Sequence, residues 1–149
     1  MEFKSVTIKR TVQMEHSAKE MKSGSLEVLA TPQMISWMEE ASCLCLEGQL
    51  EPGFTSVGTY LNVSHDKASL IGATIYISSE ISKIDDRKVC FQVIATENDE
   101  IIGKGYHERF IVNENKFIEK FNNGDFVNDI ETDKAACGMS SVWENFLCS

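Results

Sequence analysis

The apolar positions of the chain follow a helical period over residues 32–47 and change to a strand period from residue 54. Residues 32–47 carry apolar side chains at i, i+3, i+4 and i+7, which predicts an amphipathic helix. Its predicted buried face comprises Met34, Trp37, Met38, Ala41, Leu44 and Cys45, widened by Ile35, Ser42 and Leu46. Thr31 and Pro32 predict the helix start, as a hydroxyl N-cap followed by a first-turn proline. Gly48 predicts its end.

Alternating apolar and polar residues predict five β-strands. The first, residues 5–12, has one polar face and is expected early in the sheet or at its edge. The other four predicted strands are residues 54–64, 73–83, 88–96 and 101–112. Asp85-Asp86 and Asn98-Asp99 stand where hairpin turns would join neighbouring strands. Consecutive strands of this length predict an antiparallel meander.

Together these elements predict an α+β fold in which a curled antiparallel sheet wraps one long helix. Such a sheet leaves strand edges open, so pairing with a second copy of the chain is expected. Residues 13–24 are polar and predict a loop. We expect one domain over residues 1–121, with one or two helical turns at its end. Residues 122–149 form an acidic tail whose late apolar patch, Val142 to Leu147, predicts either a short docked helix or a weakly ordered segment.

The composition narrows the classes of partner. The chain has 149 residues and a net charge of −9, which argues against a nucleic-acid partner because phosphate binding needs a basic face. It has no apolar run of signal-peptide or membrane-span length, so a cytoplasmic protein is expected. Its five cysteines are odd in number and contain no Cys-x-x-Cys pair. This pattern predicts reduced thiols and suggests neither a disulfide framework nor a zinc site.

A hydroxyl, a carboxylate and an imidazole stand out within one short region. Thr31 and Glu39 lie eight residues apart on one predicted helix face, and His65 ends the following strand. A carboxylate on an apolar arc is costly to bury unless it is paired, and His65 is a possible partner. An imidazole held by a carboxylate can take a proton from water or from a hydroxyl. Taken singly, however, each residue favours a simpler interpretation: Thr31 as an N-cap, Glu39 as a solvent-facing side chain and His65 as a surface residue.

Two further residues fit such a site. Gly58 lies inside a predicted strand, where a glycine permits close approach of a substrate or marks a β-bulge. Arg109 would supply positive charge to an acyl carboxylate, a CoA phosphate or Glu39 itself. Alternatively, His107 and Arg109 alternate with Glu108 along a strand and would form a cross-strand ion pair.

Several segments, taken in order, resemble the fluoroacetyl-CoA thioesterase-like branch of the hot-dog thioesterases. These segments are Leu26-Glu-Val-Leu-Ala-Thr-Pro-Gln-Met, Glu39-Glu-Ala, Thr55-Ser-Val-Gly-Thr, His65 and Gly105-Tyr-His-Glu-Arg-Phe. The resemblance implies a hot-dog fold and hydrolysis of short acyl-CoA thioesters by a homodimer, with no metal and no cofactor besides the CoA of the substrate. It implies catalytic roles for Thr31, Glu39 and His65. It also implies substrate-binding roles for Gly58 and Arg109.

The chain departs from this family in two places. Residues 66–70 read Asp-Lys-Ala-Ser-Leu, where the family usually has an apolar run with proline. Fluoroacetyl-specific members carry aromatic lid residues before the Leu-Glu-Val segment, whereas residues 22–25 read Lys-Ser-Gly-Ser. We therefore expect thioester hydrolysis with a different acyl group. In this site Thr31 is either the nucleophile or a residue that positions the substrate while Glu39 and His65 activate water.

Two other functions remain open from the sequence. A non-catalytic acyl-CoA binding module would use the same pocket with no turnover. A hot-dog hydratase or dehydratase is less favoured, because its usual histidine on the central helix is absent from residues 32–47.

Overall fold

The computed structural model describes residues 1–122 of the chain. Its elements are β1 (Ser5–Thr11), a 3₁₀ turn (Met14–His16), α1 (Ala18–Met21), α2 (Thr31–Leu46), β2 (Phe54–His65), β3 (Thr74–Asp85), β4 (Lys88–Glu97), β5 (Glu100–Asn113) and α3 (Glu114–Asn122). Met1–Ile111 forms one compact unit, and a second unit, which contains α3, begins at Val112.

The α+β arrangement of one long helix against an antiparallel sheet is confirmed. Helix α2 presents the predicted apolar face, with Leu44 and Ile35 only partly buried. Alternate residues of the central strands face it. On β3 and β4, the buried apolar residues that follow this alternation are Ile75, Ile77, Ile81, Val89, Phe91, Val93 and Ala95. Two of their neighbours on β3, Tyr76 and Glu80, are exposed, as the period-2 pattern requires.

The predicted meander is confirmed only for the last three strands. The strand order is β1-β3-β4-β5-β2, so β1 is an edge strand as expected. Strand β2 lies beside β5 at the opposite edge, and its predicted pairing with β3 is wrong. The reason lies in the connections. Asn98 and Asp99 both adopt positive φ and form a tight β4–β5 turn, whereas β2 and β3 are joined by a longer segment, residues 66–73.

Two glycines of β5 allow β2 to approach closely. A Cβ on Gly103 would lie 2.6 Å from the backbone oxygen of Ser64, and one on Gly105 would overlap that of Asn62. Because Asn62 lies against Gly105 and Ser64 against Gly103, the two strands run antiparallel. His65 is the next residue of β2 after Ser64. At this point His65 comes beside the start of α2, where Thr31 lies.

Residues 13–24 are more ordered than the predicted polar loop. The 3₁₀ turn is followed by α1, whose N-cap Ser17 accepts a hydrogen bond from the Glu20 backbone at 3.1 Å. Single β-bridges join Ser17 to Leu29 and Val28 to Leu70. The segment is thereby held beside the start of α2.

Helix α3 is longer than the one or two turns predicted for residues 116–121. The predicted tail beyond Asn122, with its apolar patch, lies outside the described residues, as do Cys137 and Cys148.

Candidate active site

The hydroxyl of Thr31 contacts the imidazole of His65. Thr31 is the first residue of α2, and Ala30 occupies the N-cap position without a side-chain capping bond. The predicted N-cap role of Thr31 is therefore wrong. Its Oγ1 lies 2.7 Å from His65 Nδ1 instead. A capping hydroxyl would point at its own helix, so this orientation places the Thr31 oxygen where it can exchange a proton with the ring.

The second ring nitrogen of His65 is buried, and within residues 1–122 it has no hydrogen-bond partner. Burial lowers the pKa of His65 below its ordinary value of 6.5, so the ring is neutral at neutral pH. A neutral ring carries one proton. When Nδ1 accepts a hydrogen bond from the Thr31 hydroxyl, Nε2 carries the ring proton, and within residues 1–122 no acceptor meets it in hydrogen-bonding geometry.

A cleft of about 240 Å³ opens at this pair. It is lined by Ala18, Ser23, Val28, Leu29, Thr31, His65, Asp66, Lys67 and Ala68. Ala18 at the start of α1 and Ser23 beyond its end lie on one side. The segment that follows His65 forms the other. We refer to this cleft as the Thr31 cleft.

Glu39 lies two turns further along α2, and its carboxylate is held by Arg109. Arg109 Nη1 donates to Glu39 Oε2 at 3.0 Å. The Glu39 side chain is 41% exposed, whereas Arg109 is 7% exposed. The remaining Arg109 nitrogens are also engaged, because Nε donates to Ser56 Oγ at 2.8 Å and Nη2 to the Ser56 backbone oxygen at 3.1 Å. Of the partners considered for Arg109, Glu39 is therefore the one it contacts.

His107 belongs to the same cluster, although the sequence did not single it out as a site residue. Its side chain is 1% exposed, and its Nε2 lies 3.3 Å from Arg109 Nη1 and 4.0 Å from Glu39 Oε2. Burial lowers its pKa below 6.5. The period-2 spacing of His107 and Arg109 puts both on the helix-facing side of β5. Glu108 points the other way, toward Tyr106, and forms a cross-strand ion pair with Lys88 of β4 at 3.7 Å, so the alternative considered from the sequence is formed by Glu108 without His107 or Arg109.

Gly58 provides the space above this cluster. A Cβ at this position would lie 2.8 Å from Glu39 Oε2 and 3.4 Å from both Arg109 Nη1 and His107 Cε1. Any side chain here would displace the carboxylate. The surrounding cleft measures about 310 Å³ and is lined by Ile35, Glu39, Gly58, Thr59, Tyr60, Leu61 and His107. We refer to it as the Glu39 cleft.

The structure thus separates the predicted residues into two groups. Thr31 and Glu39 are eight residues apart on α2, about 12 Å along its axis. Glu39 contacts Arg109, and in the described part of the chain no hydrogen bond joins it to His65. The Glu39–His65 pair considered from the sequence therefore does not form within one chain.

Residues 1–122 contain no cluster of three or more metal-binding side chains. Over the same residues, no helix is both long and apolar enough to cross a membrane.

Comparisons with known proteins agree on one family. Residues 12–115 match the family model described as "Fluoroacetyl-CoA-specific thioesterase". The fluoroacetyl-CoA thioesterase of Streptantibioticus cattleyicolor is 35% identical to this chain over 96 residues. The aligned residues cover 64% of this chain and 66% of that protein, just under two thirds of its length.

Solved structures show the same relationship. A structure of the fluoroacetyl-CoA thioesterase FlK aligns with a TM-score of 0.77 at 28% identity, covering 81% of this chain and 94% of that one. A thioesterase superfamily member from Thermus thermophilus aligns with the same TM-score at 23% identity, covering 87% of this chain and 96% of that one. The second likeness shows the fold alone.

Proposed function

Because the chain belongs to the fluoroacetyl-CoA-specific thioesterase family, whose members are hydrolases of acyl-CoA thioesters, we propose that it hydrolyses a small acyl-CoA to the free acid and CoA. The observation that carries the proposal is the 2.7 Å contact between Thr31 Oγ1 and His65 Nδ1. Hydrolysis requires an activated oxygen nucleophile, and a neutral imidazole bonded to a hydroxyl is a common way to provide one.

In the proposed reaction His65 takes a proton from the attacking oxygen, which belongs either to Thr31 or to a water that Thr31 positions. The oxygen attacks the thioester carbonyl carbon, and the C–S bond then breaks. His65 returns the proton to the departing CoA thiolate. If Thr31 attacks, a water hydrolyses the acyl-threonine by the same proton route. Glu39 supplies the carboxylate that stabilises the protonated His65, while Arg109 holds Glu39 and Gly58 leaves room for the substrate.

We propose that a homodimer completes the site, with Glu39 of one copy reaching His65 of the other. Three observations support this arrangement. His65 Nε2 has no acceptor within residues 1–122, and the Glu39 bonds recorded there all use Oε2. Strand β2 spans 12 residues, carries both Gly58 and His65 and is an edge of the sheet. An unpaired edge of this length is a surface on which a second copy can extend the sheet.

We further propose an acyl group other than fluoroacetyl. Residues 22–25, Lys-Ser-Gly-Ser, border the Thr31 cleft at Ser23 and contain no aromatic side chain. The two clefts, of about 240 and 310 Å³, favour a small acyl group.

We propose that the reaction uses no metal, and resistance of the activity to EDTA would support this. We propose a cytoplasmic location, with which the free thiols of Cys43, Cys45 and Cys90 agree. We also propose that residues 1–121 form the catalytic domain, since every proposed site residue lies within them.

The test is release of free thiol from a panel of acyl-CoA esters, ranging from acetyl and fluoroacetyl to aromatic. Glu39→Gln removes the proposed carboxylate and keeps its shape. Glu40→Gln is a matched control, because Glu40 is the next residue of α2 and pairs with Arg10 away from the site. We expect activity from the parent and the control, and a loss of at least about 100-fold in Glu39→Gln. Saturable binding without thiol release would support a binding module instead, and equal rates in all three proteins would exclude Glu39.

A further inference from the structure

The imidazole of His107 is fixed on three sides. Its Nδ1 lies 2.8 Å from the backbone oxygen of Tyr60. Its ring stacks on Phe91, with centroids 5.9 Å apart and an interplanar angle of 30°. Its Nε2 lies 3.3 Å from Arg109 Nη1. The side chain is almost fully buried, so the ring cannot reorient without breaking these contacts.

These contacts allow only one protonation state. A carbonyl oxygen can only accept a hydrogen bond, so Nδ1 must carry a proton to bond with Tyr60. Burial disfavours the charged ring, which leaves Nε2 without a proton. An unprotonated Nε2 is an acceptor, and the group that faces it is a guanidinium nitrogen, which can only donate. The Nδ1–H tautomer therefore satisfies both ring nitrogens.

Arg109 Nη1 has two hydrogens and two acceptors. One acceptor is Glu39 Oε2 at 3.0 Å, and the other is His107 Nε2 at 3.3 Å. Nε and Nη2 are directed at Ser56, so the guanidinium plane is defined at one end by Ser56 and at the other by His107. With both ends fixed, the remaining hydrogen of Nη1 is directed at the carboxylate.

We propose that His107 is a positioning residue: as the neutral Nδ1–H tautomer it accepts a hydrogen bond from Arg109 and so directs that guanidinium at Glu39. This inference rests on the proposed catalytic role of Glu39. The tautomer is essential to it, because a protonated Nε2 would place a donor against the donor of Arg109. Such a ring would release the arginine and compete with it for Glu39.

Two substitutions separate the two nitrogens of the ring. His107→Gln can place an amide oxygen near the position of Nε2, which keeps an acceptor for Arg109 and gives up the bond to Tyr60. His107→Asn can place an amide nitrogen near the position of Nδ1, which keeps the donor to Tyr60 and gives up the acceptor. Each variant loses one hydrogen bond and is of the same chemical class, so each is the control for the other.

We expect kcat of His107→Asn to fall by about tenfold with KM nearly unchanged, and kcat of His107→Gln to stay within about threefold of the parent. Thermal unfolding is measured on both. A purely structural role would lower kcat in proportion to stability, with no preference for Gln over Asn. That result, or a lower kcat for Gln than for Asn, would overturn the proposal.

A measurement independent of turnover tests the tautomer in the full-length protein. Two-bond ¹H–¹⁵N correlation spectra should show His107 Nδ1 as a protonated nitrogen and Nε2 as an unprotonated one at neutral pH. A protonated Nε2 would overturn the inference even if the parent hydrolyses thioesters. If the parent releases no thiol from any substrate, the proposed function fails, and these spectra still decide the tautomer.

Discussion

The two clefts along α2 are built in opposite ways. At the Glu39 cleft, one carboxylate oxygen is held by Arg109 Nη1, which also contacts His107, while the other two nitrogens of that arginine bond to Ser56. At the Thr31 cleft, a hydroxyl and an imidazole share a single bond, and the other ring nitrogen is left without a partner in residues 1–122. Within residues 1–122, the groups at the Glu39 cleft are paired and those at the Thr31 cleft are not all paired.

This difference indicates where the chain has to be supplemented. A buried nitrogen that lacks a partner costs free energy, typically about 1–3 kcal/mol, and is rare unless a further group satisfies it. Glu39 is oriented by its neighbours yet partly exposed, as expected for a carboxylate that is presented to something outside its own cluster. The contrast therefore favours a site shared by two copies, with the fixed carboxylate of one serving the incomplete pair of the other.

The largest expected effect is at the incomplete pair. His65→Ala removes the proposed base, and thiol release should fall by about 10²- to 10⁴-fold. The fold should survive, because within residues 1–122 the ring makes a single hydrogen bond, to Thr31. Thiol-release assays and thermal unfolding of the same preparation measure the two effects. A folded His65→Ala protein with the parental rate would remove His65 from the chemistry.

A smaller effect is expected at the complete cluster. The methyl group added by Gly58→Ala would lie 2.8 Å from Glu39 Oε2, so the carboxylate must move by a few tenths of an ångström or more. We expect kcat to fall by about tenfold, because misplacement of a catalytic group is costly even when it is small. The Thr31–His65 bond should persist, and the ring signals of His65 in NMR spectra would show it. An unchanged kcat would mean that the position of Glu39 is not critical.

The smallest expected effect is the change of thermal stability with pH. Burial lowers the pKa of His107 below 6.5 in the folded protein. As pH falls through 6.5, the unfolded chain binds a proton at this residue before the folded one does, so the folded state loses relative stability until the folded pKa of His107 is reached. The melting temperature should therefore decrease from pH 7 toward acid by a few degrees, roughly 3 °C. In His107→Gln this dependence should be shallower, and an equally steep slope would argue against a contribution from His107.

The local elements could be predicted from the sequence, whereas the contacts between distant segments could not. The 3.6-residue period of α2 and the period-2 pattern of the strands depend on nearby residues, so their positions were predicted within two residues. The position of β2 beside β5 depends on the longer connection over residues 66–73 and on close approach at Gly103 and Gly105, which no local pattern encodes.

In the candidate site, too, the residues could be predicted but the contacts between distant segments could not. Thr31, Glu39, His65, Gly58 and Arg109 were selected because a family resemblance placed them in order. Their grouping into two clusters was not predicted, because Thr31 and Glu39 share a helix face and the register of β2 decides which of them meets His65. His107 was considered only as a partner in a cross-strand ion pair, since its contact with Tyr60 depends on the pairing of β5 with β2.

The central claim is that each site uses residues from two copies, and subunit complementation tests it most directly. Thr31→Ala and Glu39→Gln proteins, each inactive alone, are unfolded together in equal amounts and refolded. If the site is shared, half of the randomly formed dimers contain one site with no substitution, so thiol release should return to about a quarter of the parental value. If Thr31, Glu39 and His65 act within one chain, every site in the mixture carries a substitution. The mixture would then remain inactive and contradict the account.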